Sequence, residues 1–466
     1  MTAATAPPAA APAVGLSYGE ALRAIAERGR FGVRLGLGRT RALLRALGDP
    51  QSGLRGALVA GTNGKGSVLA LAGAALRAAG YRVGQTPKPH LVSYRERLAI
   101  DGRPIDPGSF ARLVGEVVPV AGPLAARHGP ATEFELLTAA LFRWFAAERV
   151  EVALVEVGLG GRLDATHAWD GGVAVITNVD LDHTDRLGPT VEAIAREKAA
   201  IIERGDVAVT GATGPALAVI RRRAARVRAP LTVAPPATLL GWDRDGIEVA
   251  LPGLGRTRVG LRGRHQAANV AVADALLDAL EAAGIATVPR GARREGYARA
   301  TWPGRLELLE VEGREVLLDG AHNPAGATAL ATALDDLRPY LAGGRDAVPP
   351  PLTLIAASMA DKDVDGVIAA LAGSPHIRSG RIACTAVDDA RALPAPDLAA
   401  RWRAAGVVPE DRIALEPDPI AALDRALASA PGPVVVAGSL YLVGLVRGRL
   451  VDDPDLRDPP DHDASG

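Results

Sequence analysis

Short apolar runs alternating with stretches of helical spacing dominate the chain. ALVA at 57–60, VALVEV at 152–157 and GVAVIT at 172–177 are unbroken apolar or nearly apolar runs, the pattern of strands buried on both faces of a parallel sheet. YRVGQT (Tyr81–Thr86) and DVAVTG (206–211) read the same way. Apolar residues recur at helical spacing from Val68 in VLALAGAALRAAG, over Pro107–Ala121, over Thr132–Glu148, through PTVEAIAREKAAIIERG and over Pro215–Arg228. Residues 18–47 are helical in pattern, with a Gly-punctuated break at 31–37. HLVSYRERLAIDGRPI carries three charges at Arg95–Arg97 and reads as a surface excursion. A β-rich patch spans Ile247–Leu261, and RGRHQAANVAVADALLDAL reads as a loop entering a helix.

The alternation restarts after Thr301, where TWPG interrupts it. RLELLEV, EVLLDGAHNP, TLIAAS, RIACTAV and PVVVAG read as strands, with helices after Asp361, near Leu398 and from Tyr441. The pattern predicts an α/β chain with two doubly wound units, residues 16–300 with a small β subdomain and residues 301–451. Residues 1–15, rich in Ala and Pro, and 452–466, rich in Asp and Pro, read as disordered ends.

Composition narrows the partners. Lys plus Arg equals Asp plus Glu at 53 each in 466 residues, so no global field favours nucleic acid or an acidic membrane. A single cysteine, Cys384, excludes an internal disulfide and fits a reducing compartment. No run of 18 apolar residues and no signal-peptide pattern occur, so a cytoplasmic protein is expected. Only four of the 53 basic residues are lysines: Lys65, Lys88, Lys198 and Lys362. Where arginine serves almost everywhere, a lysine points to chemistry that guanidinium does not perform.

The candidate chemistry centres on LVAGTNGKGS (Leu58–Ser67). A strand turning sharply into a helix aims backbone N–H groups at a small concavity, and glycines permit the turn and close approach of an anion. Lys65 can reach outer phosphates and Ser67 can face a metal ion. Its spacing, G-x-x-G-K-G-S, differs from the common G-x-x-x-x-G-K-S/T. VALVEV delivers Glu156, and GVAVIT delivers Asn178, Asp180, Asp182 and His183, to strand carboxyl ends, where open α/β sheets bind ligands. His183 reads either as a site residue or as an exposed turn histidine. Lys198 reads either as an exposed helix lysine or as one carbamylated by CO₂ into an oxygen ligand for Mg²⁺. Asn269 reads either as a local cap or as a base-binding amide. Asp319, His322 and Asn323 sit at a further strand end.

These residues lie in motifs that resemble the folylpolyglutamate synthase/dihydrofolate synthase family of Mur-ligase-like ATP-dependent amide ligases. GTNGKGS, HLVSYRERLAIDG, EVGLGGRLDAT, ITNVDLDHTDRLG, IAREKAAI, GRHQAAN, WPGRLE, LDGAHNP, DKD and GSLYLVG follow the family's order from about Leu16 to Arg449. The resemblance implies a Rossmann-like N-terminal P-loop ATPase domain, a Rossmann-like C-terminal domain and an active site in the cleft between them. It implies glutamate addition to dihydropteroate and to tetrahydrofolates through an acyl phosphate, with ATP as co-substrate and two Mg²⁺ ions. Gly61, Thr62, Asn63, Gly64, Lys65, Gly66 and Ser67 would bind ATP, as would Asn269, Arg305, Asp319 and His322. Ser67, Glu156, His183 and an N6-carboxylated Lys198 would hold metal, and Lys65, Lys198 and His183 would serve catalysis. Glu133, Phe134, Glu135, Leu136, Leu163, Asp164 and Ala165 match positions that contact dihydropteroate. A monomer is the family expectation, with no nucleic-acid or membrane partner.

The chain departs from the family pattern at Lys88, where Ser-Pro-His-Leu is typical and the serine ligates Mg²⁺. Either Lys88 turns toward phosphate, or water or Ser67 completes the metal site. Asp180 is a second departure, at a usually small or apolar position. The competing readings are a diverged monofunctional Mur-type amino-acid ligase acting on another carboxylate and a non-catalytic P-loop nucleotide-binding protein.

Overall fold

A computed structural model describes residues 15–29, 32, 34–341, 350–429 and 432–459. The N-terminal arm up to residue 14, Phe31 and Val33 of the Gly-punctuated break, and tail residues 460–466 lie outside the described residues. The first sheet contains β1 (Gly56–Ala60), β2 (Val83–Thr86), β3 (Ala99–Ile100), β4 (Arg103–Pro104), β5 (Val152–Glu156), β6 (Gly172–Ile176), β7 (Val207–Thr210) and β8 (Leu231–Val233). Their order is β4-β3-β2-β5-β1-β6-β7-β8, parallel except for the antiparallel β2-β3-β4 edge. β1 lies between β5 and β6, with Val59 opposite both Glu156 and Val175. Every residue of β1 and β5 is buried, which explains the unbroken apolar runs. One face packs on Leu136, Phe142 and Ile202, the other on Leu69, Val270 and Leu277.

Strands β9 (Thr238–Asp243), β10 (Gly246–Leu251) and β11 (Gly255–Val259) form a small antiparallel sheet. The remaining strands are β12 (Glu307–Val311), β13 (Arg314–Leu318), β14 (Thr353–Ala356), β15 (Arg381–Cys384), β16 (Ile413–Leu415) and β17 (Val434–Ala437). They form a second doubly wound sheet in the order β12-β13-β17-β14-β15-β16, in which only the β12–β13 hairpin is antiparallel. The α/β class and two parallel sheets agree with the sequence pattern.

Four local features differ from it. The helix after β1 starts at Lys65 rather than Val68, because Gly64 takes a left-handed conformation at its N-cap. The Arg95–Arg97 stretch is no surface excursion: Leu98 is fully buried, β3 extends the sheet, and the Arg95 side chain is only 3% exposed. The tail beyond Asp452 is held as far as Pro459, since Asp458 accepts hydrogen bonds from Tyr18, Ser93 and Arg95. The helix Arg290–Arg299 has no apolar stripe to betray it; its inward positions are Arg293, Gly296 and Tyr297.

By length and composition, the helix Pro107–His128 is the one described helix able to cross a membrane. Here it buries Phe110, Val114 and Val117 in the first core with the helices Tyr18–Ala26 and Glu133–Ala147.

The helix Arg290–Arg299 lies on the helix that begins at Lys65, and a Cβ at Gly296 would overlap the Ala75 backbone. Gly296→Ala is therefore expected to cost about 1–3 kcal/mol, read as a lowered melting temperature, since backbone atoms cannot rotate aside.

Candidate active site

The order β5-β1-β6 sets three loops side by side at the sheet's carboxyl edge: Glu156 onward, Gly61–Gly64 and Thr177–His183. Together with loops of the second sheet they enclose a cleft of about 1160 Å³.

The phosphate-loop backbone is fixed from the β6 side. The Thr62 N–H donates to the Asn178 carbonyl (3.1 Å) and the Asn63 N–H to Asn178 Oδ1 (2.8 Å). Thr177 Oγ1 donates to the Asn63 carbonyl (2.6 Å), and the Asp180 N–H to Thr62 Oγ1 (3.0 Å). Asp180 thus pins the loop through its backbone, while burial raises the proton affinity of its carboxyl. Cβ atoms cannot be added at Gly61, where Thr177 lies, or at Gly64, where Asn269 Oδ1 lies; Gly66 faces the Trp302 indole. The first N–H groups of the following helix lack intrahelical partners by geometry and end at this loop, with Ser67 lining the cleft.

All four lysines come together here. Lys65 Nζ donates to the Gly61 and Thr62 carbonyls, both at 3.1 Å, and lies 3.9 Å from Glu156 Oε1. Lys198 Nζ donates to the same Gly61 carbonyl at 2.8 Å. Burial, then the neighbouring Lys65 ammonium, lowers the Lys198 pKa to about 7. The Lys198 side chain is therefore not an exposed helix lysine. Lys88 Nζ donates to the Glu156 carbonyl at 2.8 Å and lies 4.1 Å from the centre of the Phe134 ring, and burial lowers its pKa to about 8. Its backbone N–H donates to Glu156 Oε2 (3.2 Å). Burial raises the Glu156 carboxyl, against the pull of Lys65 and Lys88. Lys362, from the second unit, pairs with Asp182 at 3.2 Å and lies 3.5 Å from His183 Nε2. Burial alone would raise Asp182; Lys362 and His183 outweigh it and leave the pKa at about 2.

His183 has a left-handed backbone (φ 50°), rare for a non-glycine residue, and partly buried surroundings lower its pKa. Asn323 Nδ2 bridges the two units, donating to Asn63 Oδ1 (3.2 Å) and Asp182 Oδ2 (3.3 Å). The sequence placed Asn63 in the loop and Asp182 and Asn323 at strand ends and marked Lys362 by the scarcity of lysine, but nothing in it paired them across the cleft.

Of the nucleotide candidates, Asn269 lies against Gly64, donates to Gln266 Oε1 (2.8 Å) and lines the cleft. It does not cap its helix, whose N-cap is His265. Arg305 Nη1 donates to the Gly304 carbonyl (3.1 Å), leaving most of its donors for a ligand. Asp319 accepts from the Leu306 and Ala321 N–H groups, each at 2.9 Å, so its carboxylate is spent on the backbone beside Arg305. His322 Nδ1 lies 2.8 Å from the Gly320 carbonyl, and burial lowers its pKa to about 4, leaving the ring neutral.

The expected dihydropteroate contacts divide. Phe134, Leu163 and Ala165 line the cleft, and Glu133 lines it while accepting from Arg97 (3.2 Å). Glu135 also borders the cleft, but its carboxylate is engaged by Arg39 and by the capping Thr132. Asp164 is likewise saturated by the N–H groups of Gly158, Leu159 and Thr166 and by the Thr166 hydroxyl. Leu136 is fully buried in the core. Glu135 and Asp164 thus line the cleft with carboxylates already bonded to the protein, and Leu136 faces the core.

Among the described residues, no three His, Cys, Asp or Glu side chains converge as a metal centre. Ser67 and Glu156 nevertheless provide hard oxygen donors beside the loop, and the buried, proton-hungry Glu156 suits a cation. With Lys198 as an amine, His183 has no oxygen donor from that side chain to share a second ion.

A phosphate loop facing a second doubly wound unit across a lysine-rich cleft defines the class of Mur-type ATP-dependent ligases. The Mur ligase middle domain matches residues 59–277 and the Mur ligase glutamate ligase domain residues 304–440. Over 445 residues the chain is 34% identical to the dihydrofolate synthase/folylpolyglutamate synthase of Bacillus subtilis (strain 168), covering 93% of this chain and 99% of that protein. The chain belongs to the dihydrofolate synthase/folylpolyglutamate synthase family, whose members are ATP-dependent acid–amino-acid ligases. Mycobacterium tuberculosis folylpolyglutamate synthase complexed with ADP and AMPPCP superposes with a TM-score of 0.81 at 32% identity, covering 93% of this chain and 100% of that one. A bifunctional folylpolyglutamate synthase/dihydrofolate synthase with Mn, AMPPNP and L-glutamate bound gives 0.77 at 28% identity, covering 94% and 100%.

Gly64→Ala places a side chain in a left-handed position and against Asn269. It is expected to abolish binding of a non-hydrolysable ATP analogue, measured by calorimetry, while the fold persists by circular dichroism.

Proposed function

We propose that the chain adds L-glutamate both to dihydropteroate, giving dihydrofolate, and to the glutamate tail of tetrahydrofolates, each at the expense of ATP. The observation that carries this reading is the convergence of three buried or part-buried lysines at a phosphate loop, Lys65 and Lys88 beside the buried Glu156 and Lys198 sharing the Gly61 carbonyl with Lys65. Such a surplus of buried positive charge suits a polyanionic nucleotide. The family membership and the ligands named for the bifunctional relative support glutamate as the incoming amine.

A free carboxylate is a poor acyl donor. Transfer of the γ-phosphoryl group from ATP to the substrate carboxylate breaks the β–γ anhydride bond and gives an acyl phosphate and ADP. The α-amine of glutamate then attacks the acyl carbon, phosphate leaves, the amine loses its proton and an amide remains. Gly61–Ser67 hold the phosphates through their N–H groups, and Lys65 follows the charge moving from the bridging oxygen. Asn269, Arg305 and His322 face the nucleotide from the interdomain side, with Asp319 fixing the backbone beside Arg305. Phe134, Leu163, Ala165 and Glu133 line the acceptor's end of the cleft. Burial of the site between the two units keeps water from the acyl phosphate.

Ser67, Glu156 and His183 are the residues that would hold a divalent metal, which when bound neutralises phosphate charge. With a pKa near 7, Lys198 is largely unprotonated above neutrality and open to CO₂. As N6-carboxylysine it would supply oxygen donors for a second ion.

Glutamate-dependent phosphate release from MgATP with dihydropteroate and with a tetrahydrofolate is expected for both acceptors. Release with one acceptor alone would reduce the assignment to a single activity, and glutamate-independent release would refute a ligase. Lys65→Ala should reduce turnover by at least about 100-fold, comparable to removing a main charge-stabilising group. Lys198→Ala should lose activity that short carboxylic acids partly restore; full activity in CO₂-depleted buffer would remove the carbamate from the scheme.

A further inference from the structure

The segment after the last helix leaves the second unit and ends on the first. Arg95 receives it. Its guanidinium donates to the Asp455 carbonyl (2.8 Å), the Arg457 carbonyl (3.0 Å) and Asp458 Oδ1 (3.2 Å). From the first unit the Ile105 carbonyl accepts from it at 3.1 Å, and the Tyr18 ring lies 5.9 Å away. Asp458 Oδ1 also accepts from the Tyr18 hydroxyl (2.8 Å) and Ser93 Oγ (3.1 Å). A guanidinium whose side chain is 3% exposed therefore depends on residues 455–458 for most of its hydrogen bonds.

Arg95 stands in the single turn Tyr94–Arg97, and the two ends of that turn face the cleft. Arg97 Nε donates to His90 Nδ1 (2.8 Å), Arg97 Nη1 to Glu133 Oε1 (3.2 Å), and its guanidinium lies over the Tyr94 ring. The residue held by the tail and the residue presented to the cleft are thus two positions apart on one short turn, with no helix to absorb a shift between them.

We infer that residues 452–459 are a positioning element for the acceptor end of the site. Asp458 holds Arg95, Arg95 fixes the turn, and the turn sets Arg97 and Tyr94 against Glu133. This rests on the reading above that the Glu133–Phe134 end receives the pterin acid. Asp458 is far from the phosphate loop in this chain of contacts, so its effect should fall on the acceptor and not on ATP.

The test is steady-state kinetics of the full chain carrying Asp458→Asn, Asp458→Ala or, as a reference, Arg97→Ala, with melting temperatures measured alongside. Asp458→Asn keeps the shape and removes the charge; Asp458→Ala removes the acceptor altogether. The expected result is a rise of about tenfold in the KM for dihydropteroate in the alanine variant and a smaller one in the asparagine variant, with kcat and the KM for ATP within about twofold, the size of losing one charge-assisted hydrogen bond. An unchanged KM for dihydropteroate in both, or equal rises for both substrates with a falling melting temperature, would overturn the inference. If Arg97→Ala also leaves that KM unchanged, the reading of this end of the cleft fails first and takes the inference with it. A raised KM in Arg97→Ala with ordinary Asp458 variants overturns the inference alone.

Discussion

Two ammonium groups meet on one carbonyl oxygen, that of Gly61, and much of the site follows from this. Lys65 and Lys198 both donate to it, from the helix after β1 and from the helix Val191–Ala199. A backbone oxygen with two lone pairs can accept both, but it carries no charge to offset them. The Glu156 carboxylate lies 3.9 Å from Lys65 and accepts from the Lys88 backbone N–H, while the Lys88 ammonium donates to the Glu156 carbonyl. Burial lowers the proton affinity of both Lys198 and Lys88, and for Lys198 the neighbouring Lys65 ammonium adds to it. The loop cannot relax away, because Thr177, Asn178 and the Asp180 backbone hold it from the neighbouring strand end. The cluster is thus held beside the loop, where an anion would offset its charge.

The same side chains that line the nucleotide cleft join the two units. Asn63 belongs to the phosphate loop and bonds Asn323 of the second unit; Asp182 bonds both Asn323 and Lys362. Trp302, in the connection, lies against Gly66, and Leu91 is packed near Gly304 and Val443. The phosphate loop and the contact between the units are thus held by overlapping groups of atoms.

Most of the parallel framework was legible in the chain because β1, β5 and β6 are buried on both faces and leave unbroken apolar runs. The phosphate loop was legible because its glycines stand between a strand and a helix, and the scarcity of lysine singled out the charged groups of the cleft. Other features were hidden for specific reasons. Arg95 is buried by partners about 360 positions away, which no local pattern reports. Glu135 and Asp164 sit among motif positions, but whether a carboxylate meets a ligand or its own backbone depends on where Arg39, Thr132 and the 158–166 turn come to lie. The helix Arg290–Arg299 turns an arginine, a glycine and a tyrosine inward, so a hydrophobicity pattern passes over it. Asn269 could be read as a cap only while the start of its helix was unknown.

The return of the tail has a mechanical consequence. The second unit is joined to the first by the peptide at Thr301–Arg305 and again, after its last helix, through Asp455–Asp458 on Arg95 and Tyr18. Between these two anchors the units also meet through Arg264 on Asp336, Asn323 on Asn63 and Lys362 on Asp182. The placement of His322 and Arg305 opposite the phosphate loop therefore rests on several separated fastenings rather than on a single joint.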